Sequence, residues 1–136
     1  MNYEIIDLND EQIENLETKL DEYDQNHIKY KMDGNVNVGV LLNGKIIAGV
    51  NACMTAYKIL YVSTVYVDEE YRSMGIGRKL MDTVEEKALS LGTNMIRLDT
   101  FDWQGVEFYK KLGYEQVGSY KNETDGFSEY FFLKRL

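Results

Sequence analysis

One stretch of the sequence decides the fold, and it reads VYVDEEYRSMGIGRKL from Val65 to Leu80. Its first residues are apolar and β-branched, which is typical of a buried strand. Polar residues and two glycines follow, and the apolar spacing after Gly75 is that of a helix. The stretch therefore predicts a strand, a glycine-bearing loop and a helix N terminus in direct succession.

This loop has the chemistry of a phosphate-binding site. The first N–H groups of a helix have no partner within the helix, and the helix dipole adds positive potential there. Glycines let a ligand approach the backbone closely, and Arg72 and Arg78 flank the loop. The spacing does not fit the P-loop pattern, and the dinucleotide fingerprint needs a further glycine. A plain helix start that binds no ligand is the alternative.

The loop resembles the coenzyme A pyrophosphate loop of the GNAT family of N-acetyltransferases. The family pattern is Arg/Gln-x-x-Gly-x-Gly/Ala, after a strand that ends in Val-x-x-x-Tyr-Arg. Matching residues in this chain are Val67, Tyr71, Arg72, Gly75 and Gly77. A glutamate stands two residues after the valine, where the family often has proline.

A second stretch, Asp102 to Tyr114, resembles a later motif of the same family, Asn-x-x-Ala-x-x-Phe-Tyr-x-x-Leu-Gly-Phe. The match is close from Phe108 onwards, whereas Asp102 and Gly105 stand where the family has Asn and Ala. With the order of strands and helices, the two motifs carry the resemblance over residues 36 to 136. The first 35 residues match only in the order of their elements.

Length and composition limit the class of protein. The chain has 136 residues, which fits a single domain over residues 1–136. Its net charge is −8, which argues against a nucleic-acid-binding surface and suits the attraction of a cationic amine. Simple solubility is the alternative reason for that charge. No apolar run approaches the ~20 residues that span a membrane, and residues 1–15 lack a signal-peptide pattern.

The cysteine count does not indicate a disulfide, and the spacing of possible metal ligands does not indicate a metal site. The single cysteine, Cys53, predicts no internal disulfide and suits a reducing compartment, so we expect a cytoplasmic protein. No spacing of Cys, His and acidic residues suggests a metal site, so no metal is expected.

The N-terminal part of the chain has a strand pattern at Tyr3–Leu8 and then a helix pattern. Asn9 or Asp10 can cap that helix, whose apolar residues recur at helical spacing. Gln25 to Gly34 is polar and mixed, which indicates a second short helix or a loop. The resemblance implies that this region covers the acceptor site.

The remaining chain predicts a sheet with two helices. Asn43-Gly44 between two β-rich runs is a strong hairpin signal. Predicted strands are Val36–Leu42, Lys45–Met54, Ile59–Val67, Met95–Thr100, Tyr114–Tyr120 and Phe127–Leu133, with helices at Gly75–Leu91 and Trp103–Leu112. The predicted fold class is α+β: a single GNAT-like domain with a mixed, mostly antiparallel sheet flanked by helices.

The resemblance implies acetyl-CoA as the co-substrate. Backbone N–H groups from Ser73 to Arg78 would take its pyrophosphate, and its pantetheine arm would run beside the preceding strand. The implied cofactor-binding residues are Val65, Val67, Arg72, Ser73, Met74, Gly75, Ile76, Gly77 and Arg78.

The same resemblance implies the chemistry. A backbone N–H near Val65 would stabilise the oxyanion, and Tyr109 would protonate the departing thiolate. A tyrosine with a pKa of ~10 is protonated at neutral pH and can donate that proton. Since the chain has 11 tyrosines, packing on the sheet is the alternative role for Tyr109.

Asp99, at the end of a predicted strand, is the candidate base that deprotonates the amine. Asp102, Glu69 and Glu70 are alternatives, as is a chain of waters. For each of these carboxylates, the competing interpretation is an ordinary solvated surface group.

Three residues are candidates for binding the acceptor: His27, Trp103 and Gln104. His27 is the only histidine, and this residue type titrates near neutral pH. An incidental surface role for His27 and a packing role for Trp103 are the competing interpretations.

The sequence thus predicts an N-acetyltransferase that moves an acetyl group from acetyl-CoA to a primary amine by direct attack in a ternary complex. The acceptor could be a small cationic metabolite, an antibiotic or a protein amine. A non-catalytic acyl-CoA-binding module and a different phosphate-ligand enzyme are the alternatives. The aromatic final strand (Tyr130, Phe131, Phe132) could form a homodimer interface or part of the core.

Overall fold

The computed structural model of the protein describes residues 1–29 and 33–136. These residues group into two compact units, Met1–Tyr30 and Lys31–Leu136. In the first unit, helix α1 (Asp10–Gln25) begins with a capping box, as its sequence predicts. Asn9 Oδ1 accepts a hydrogen bond from the Gln12 N–H at 2.9 Å, and Gln12 Oε1 accepts one from the Asn9 N–H at 3.0 Å.

The predicted strand at Tyr3–Leu8 is wrong, because residues 1–9 have no regular secondary structure. Apolar β-formers give a segment the propensity for a strand, but a strand exists only where a partner ladder takes its backbone hydrogen bonds. Part of the Gln25–Gly34 prediction, residues 30–32, lies outside the described residues; residues 26 and 27 form a turn after α1.

The second unit is built on a sheet of six strands, in the order β1-β2-β3-β4-β6-β5. The strands are β1 (Asn35–Leu42), β2 (Lys45–Met54), β3 (Ile59–Val67), β4 (Met95–Phe101), β5 (Glu115–Asn122) and β6 (Phe127–Arg135). Only β3 and β4 pair in parallel; the other neighbours are antiparallel. The β1–β2 turn uses positive φ at Asn43 and Gly44, as the sequence predicts. The predicted mixed, mostly antiparallel sheet is therefore confirmed.

Helix α2 (Ile76–Ser90) covers one face of this sheet. Its apolar stripe, Leu80, Met81, Val84 and Ala88, is buried. It packs on β1, β2 and β3, where buried side chains such as Ala52 and Leu60 form the core. Burying such side chains is the main favourable contribution to folding, at about 1.5–3 kcal/mol for each large one. This packing fixes where the N terminus of α2 lies relative to β3.

A β-bulge in β3 decides which side chains of that strand face the helix. The register passes from Ala52↔Val62 to Asn51↔Thr64, so Ser63 is the extra residue. After the bulge, Val65 and Val67 pack against the core rather than away from it. The bulge thus brings the end of β3 to the start of α2.

The parallel pair β3–β4 is short. It has three register pairs, of which Tyr61↔Arg97 is the last, although both strands continue well beyond it. The later parts of β3 and β4 are therefore not paired with each other, and the sheet opens between them. The opening is bounded by Val62–Val67 on one side and Leu98–Phe101 on the other.

Helix α3 (Val106–Lys111) begins three residues later than predicted. Gln104 Oε1 accepts a hydrogen bond from the Phe101 N–H at 2.8 Å, and Thr100 Oγ1 accepts one from the Gly105 N–H at 3.1 Å. These bonds hold residues 102–105 as a turn. In β6, Phe132 is 1% exposed and Tyr130 packs against the core, so these two side chains belong to the core.

Lys134 of β6 ties three elements together. Its Nζ lies 2.7 Å from Glu85 Oε1 on α2 and donates a 2.8 Å hydrogen bond to the Leu112 carbonyl at the end of α3. We predict that Lys134→Ala lowers the free energy of unfolding by about 2 kcal/mol, because it leaves a partly buried Glu85 unpaired. Denaturant unfolding measures this.

Arg135→Ala is the matched control. Arg135 pairs with Glu115 at 2.8 Å, but both side chains are more than 60% exposed. Its loss should cost less than about 1 kcal/mol. Equal losses for the two variants would contradict the structural role of Lys134.

Candidate active site

The loop between β3 and α2 forms a backbone cradle. Ser73 and Gly75 both have positive φ, at 65° and 80°. A non-glycine residue at positive φ is uncommon and stores backbone strain, which is typical of functional loops. Gly75 is the N-cap of α2, and within the described residues no side chain caps this helix end. The first N–H groups of α2 are therefore left to bind an external acceptor, such as a phosphate.

The two loop glycines meet different constraints. At Gly75 a Cβ would meet no atom within 4 Å, so this position is open. At Gly77 a Cβ would lie 3.1 Å from Phe108 Cζ. Gly77 is therefore needed for the contact between α2 and α3. Sequence reasoning assigned both glycines to ligand approach, and it had no means of seeing the Phe108 contact.

Both flanking arginines use part of their guanidinium groups within the protein. Arg72 Nε donates a 2.8 Å hydrogen bond to the Val67 carbonyl. One terminal nitrogen of Arg78 donates a 3.3 Å hydrogen bond to the Lys111 carbonyl, at the end of α3. Arg72 thus closes the loop onto the end of β3. Met74, which precedes Gly75 in the loop, is 64% exposed. Ile76, which lies between the two glycines, packs against the core.

Tyr109 is 8% exposed and lies among aromatic rings. Its ring centroid is 5.7 Å from that of Tyr114 and 6.0 Å from that of Phe132. A Cβ at Gly105 would lie 3.0 Å from Tyr109 Cε2, so glycine makes room for this ring. Burial, and then the charge of Asp99, raises the pKa of Tyr109 to about 12. Tyr109 is therefore protonated at neutral pH, as an acid must be.

Asp99 lies on the opposite face of β4 from the buried side chains of Ile96 and Leu98. Its Oδ2 accepts a 3.0 Å hydrogen bond from the Tyr61 hydroxyl of β3. Its charge raises the pKa of Tyr61, Tyr109 and Tyr120, although burial or a hydrogen bond is the larger cause in each. The charge of Asp99 thus acts on the pKa of Tyr109, although Asp99 lies on the exposed face of β4 and Tyr109 is buried in the core.

The other candidate residues have identifiable partners. Trp103 is 66% exposed and stacks on Phe101 at 4.7 Å between ring centroids. Gln104 holds the turn before α3 through its side-chain oxygen. Asp102, an alternative base, accepts a 2.9 Å hydrogen bond from the Ser128 N–H and so has a structural role. His27 lies in the first unit, with its Nδ1 3.1 Å from the Tyr23 carbonyl oxygen.

Over residues 1–29 and 33–136, no group of three or more His, Cys, Asp or Glu side chains could hold a metal ion. No described helix is both long enough and apolar enough to cross a membrane.

Comparison with known sequences decides the family. The sequence model of the Acetyltransferase (GNAT) family matches residues 2–114 of this chain. The chain belongs to the GNAT family of acetyltransferases. A solved acetyltransferase from Bacillus cereus has 32% sequence identity to this GNAT chain and superposes with a TM-score of 0.93, over 98% of each chain. The predicted resemblance and fold class are both confirmed.

Two other relatives add context for this GNAT protein. The thialysine N-epsilon-acetyltransferase of Sus scrofa is 36% identical over 75 residues, which cover 54% of this chain and 42% of that protein. The chain thus spans less than half the length of that relative. A GNAT acetyltransferase from Elizabethkingia anophelis, solved with acetyl-CoA bound, has a TM-score of 0.66. It is 16% identical and covers 88% of this chain and 82% of its own, which shows a shared fold.

Neither Tyr61 nor the bulge at Ser63 was identified from the sequence. The one available signal was the polar pair Ser63-Thr64 within an otherwise apolar strand pattern, which marks an irregular position. Nothing local to Tyr61 indicates its hydrogen bond, because Asp99 is 38 residues away in the chain.

The raised pKa of Tyr109 predicts a pH dependence of stability. Since the pKa of about 12 in the folded state exceeds the ordinary tyrosine value of 10.0, the stabilising contribution is complete below pH 10. It is lost as the pH rises towards 12, by about 2.7 kcal/mol in all. We therefore expect the free energy of unfolding of Tyr109→Phe to fall less than that of the wild type between pH 10 and pH 12. Parallel curves from denaturant unfolding at several alkaline pH values would contradict this.

Proposed function

We propose that this protein transfers an acetyl group from acetyl-CoA to a primary amine by direct attack in a ternary complex. One observation carries the proposal: the uncapped N terminus of α2, with its positive-φ loop, lies beside the opening between β3 and β4. The loop offers N–H donors for a pyrophosphate, and the unpaired edge of β3 offers backbone groups for the amides of a pantetheine arm. Membership of the GNAT family supports the same cofactor, and a solved protein of this fold holds acetyl-CoA.

The residues present fit this ligand. The space at Gly75 is open, and the N–H groups of Ser73, Met74, Gly75, Ile76, Gly77 and Arg78 are proposed to hold the pyrophosphate. Arg72 stabilises the loop through the Val67 carbonyl and adds positive charge. Val65 and Val67 are proposed to contribute backbone groups along the pantetheine arm. Because these interactions would use backbone groups, the side chains of the two valines are free to pack against the core.

The proposed chemistry uses two side chains. Asp99 takes a proton from the ammonium form of the acceptor, and the neutral nitrogen attacks the thioester carbon. The new N–C bond forms and the C–S bond breaks, with a backbone N–H near Val65 stabilising the oxyanion. Tyr109 gives its proton to the departing sulfur and regains one from the attacking nitrogen, which loses its second proton as the amide forms, while Asp99 releases its proton to solvent. The products are an amide, CoA and one released proton.

For the acceptor we propose a small cationic amine. The net charge of −8 favours a cation over an anion, and the pig relative is named for thialysine. Trp103 is proposed as an aromatic wall, with Gln104 shaping the turn behind it. We also propose that residues 1–136 act as one acetyltransferase domain in the cytoplasm, in keeping with the single cysteine.

Calorimetric titration of the full chain tests the cofactor. We expect the wild type to bind acetyl-CoA and CoA but not ATP or NAD⁺, because only the CoA compounds have the pantetheine arm. Gly75→Asp should weaken acetyl-CoA binding at least tenfold, since it places a negative charge in the pyrophosphate cradle. Gly75→Asn is the matched control, because Asn and Asp tolerate positive φ similarly and have similar size.

The control should retain most of the affinity of the wild type. If both variants bound acetyl-CoA as tightly as the wild type, the loop would not be part of the binding site. An absence of acetyl-CoA binding in folded wild-type protein would overturn the proposed function.

Steady-state kinetics tests the acid. We expect Tyr109→Phe to lower kcat by about 10²-fold, as for a positioned proton donor, with little change in acetyl-CoA affinity. Tyr114→Phe is the matched control: Tyr114 is 5% exposed, and its hydroxyl has no hydrogen-bond partner among the described residues. Its kcat should stay near that of the wild type. Similar losses in both variants would make Tyr109 a packing residue.

A further inference from the structure

Tyr61 lies where the opening between β3 and β4 begins. Tyr61↔Arg97 is the last register pair of the parallel strands. From this position the Tyr61 hydroxyl reaches along β4 and donates a 3.0 Å hydrogen bond to Asp99 Oδ2. The bond links β3, which is proposed to border the cofactor, to the carboxylate proposed as the base, at the point where backbone pairing stops.

The ring of Tyr61 is itself held in place. The Arg97 guanidinium carbon lies 4.4 Å from the ring centroid, a cation–π contact. Since Arg97 and Asp99 are two residues apart on one strand, their side chains project from the same face of β4. Tyr61 is thus fixed by its ring on one β4 residue and by its hydroxyl on another.

Asp99 acts on several polar groups, but among the described residues its side chain has one specific hydrogen-bond donor. The charge of Asp99 raises the pKa of Tyr61, Tyr109 and Tyr120, and the charges of Arg97 and Glu129 act on the pKa of Tyr61. The Tyr120 hydroxyl donates instead to Glu129 Oε1, at 2.5 Å. Among the described residues, only the Tyr61 hydroxyl donates a hydrogen bond to the Asp99 side chain, and Asp99 Oδ2 accepts it.

We infer that Tyr61 is a positioning residue for proton transfer: its hydroxyl fixes one oxygen of the Asp99 carboxylate and thereby directs the other oxygen towards the acceptor amine. This inference rests on the proposed function, in which Asp99 is the base. A freely rotating carboxylate would spend only part of its time with an oxygen aligned, so fixing it favours the reactive geometry. Burial, and then the bond to Asp99, raises the pKa of Tyr61, so the hydroxyl remains a donor at neutral pH.

A double-mutant cycle tests this inference. Tyr61→Phe removes only the hydroxyl and leaves the ring against Arg97. Wild type, Tyr61→Phe, Asp99→Asn and the double variant are assayed for thiol release from acetyl-CoA, with thialysine, lysine and an aliphatic diamine as acceptors. Tyr61→Phe should lower kcat about tenfold, the size of a lost hydrogen bond to a charged group, with the KM for acetyl-CoA unchanged.

The decisive comparison is between the effect of Tyr61→Phe on kcat in the wild type and its effect in the Asp99→Asn protein. If Tyr61 acts through Asp99, Tyr61→Phe should have no further effect on kcat in the Asp99→Asn protein. Tyr120→Phe is the matched control, because it removes an equivalent hydroxyl from the neighbouring carboxylate, Glu129. Its kcat should stay close to the wild-type value.

Several results would overturn the inference. They are an equal loss from Tyr61→Phe in both backgrounds, an equal loss in Tyr120→Phe, and full activity in either Tyr61→Phe or Asp99→Asn. In each of these cases the wild type still acetylates an amine, so the proposed acetyl transfer stands, although full activity in Asp99→Asn would remove Asp99 as its base. A wild type that acetylates no acceptor overturns both.

Discussion

The rest of the site depends on the early end of backbone pairing between β3 and β4. Three register pairs hold these parallel strands together, and then they separate. The edge of β3 from Val62 to Val67 lies inside the sheet but is not paired with β4. Backbone N–H and C=O groups require partners, so such an edge is a ready site for an extended ligand.

The bulge at Ser63 assigns side chains to those faces. Before it, Leu60 and Val62 face the core; after it, Val65 and Val67 do so. Without the extra residue, the strand would turn its polar side chains towards α2. With it, the apolar end of β3 meets the helix whose N terminus forms the cradle, and the proposed base lies on the opposite face from the helix.

Two glycines make room for the consecutive aromatic residues of α3, Phe108 and Tyr109. A Cβ at Gly77 would meet Phe108, and one at Gly105 would meet Tyr109, both at about the limit of steric tolerance. Phe108 thereby contacts the start of α2, while Tyr109 is buried beside the rings of Tyr114 and Phe132. Gly75 is different, because its positive φ shapes the loop and the space around it is open. Gly77 and Gly105 thus make room for aromatic rings, whereas Gly75 supplies the backbone conformation of the loop.

The sequence by itself determined the elements whose signals are local: the Asn43-Gly44 hairpin, the loop before α2, the amphipathic helix and the capped α1. Turn chemistry, capping and periodicity act between near neighbours, so they can be read along the chain. Only the tertiary structure decided that Tyr3–Leu8 is not a strand, that Gln104 holds a turn and that Tyr61 bonds Asp99. These depend on partners and register between distant segments, which no local pattern encodes.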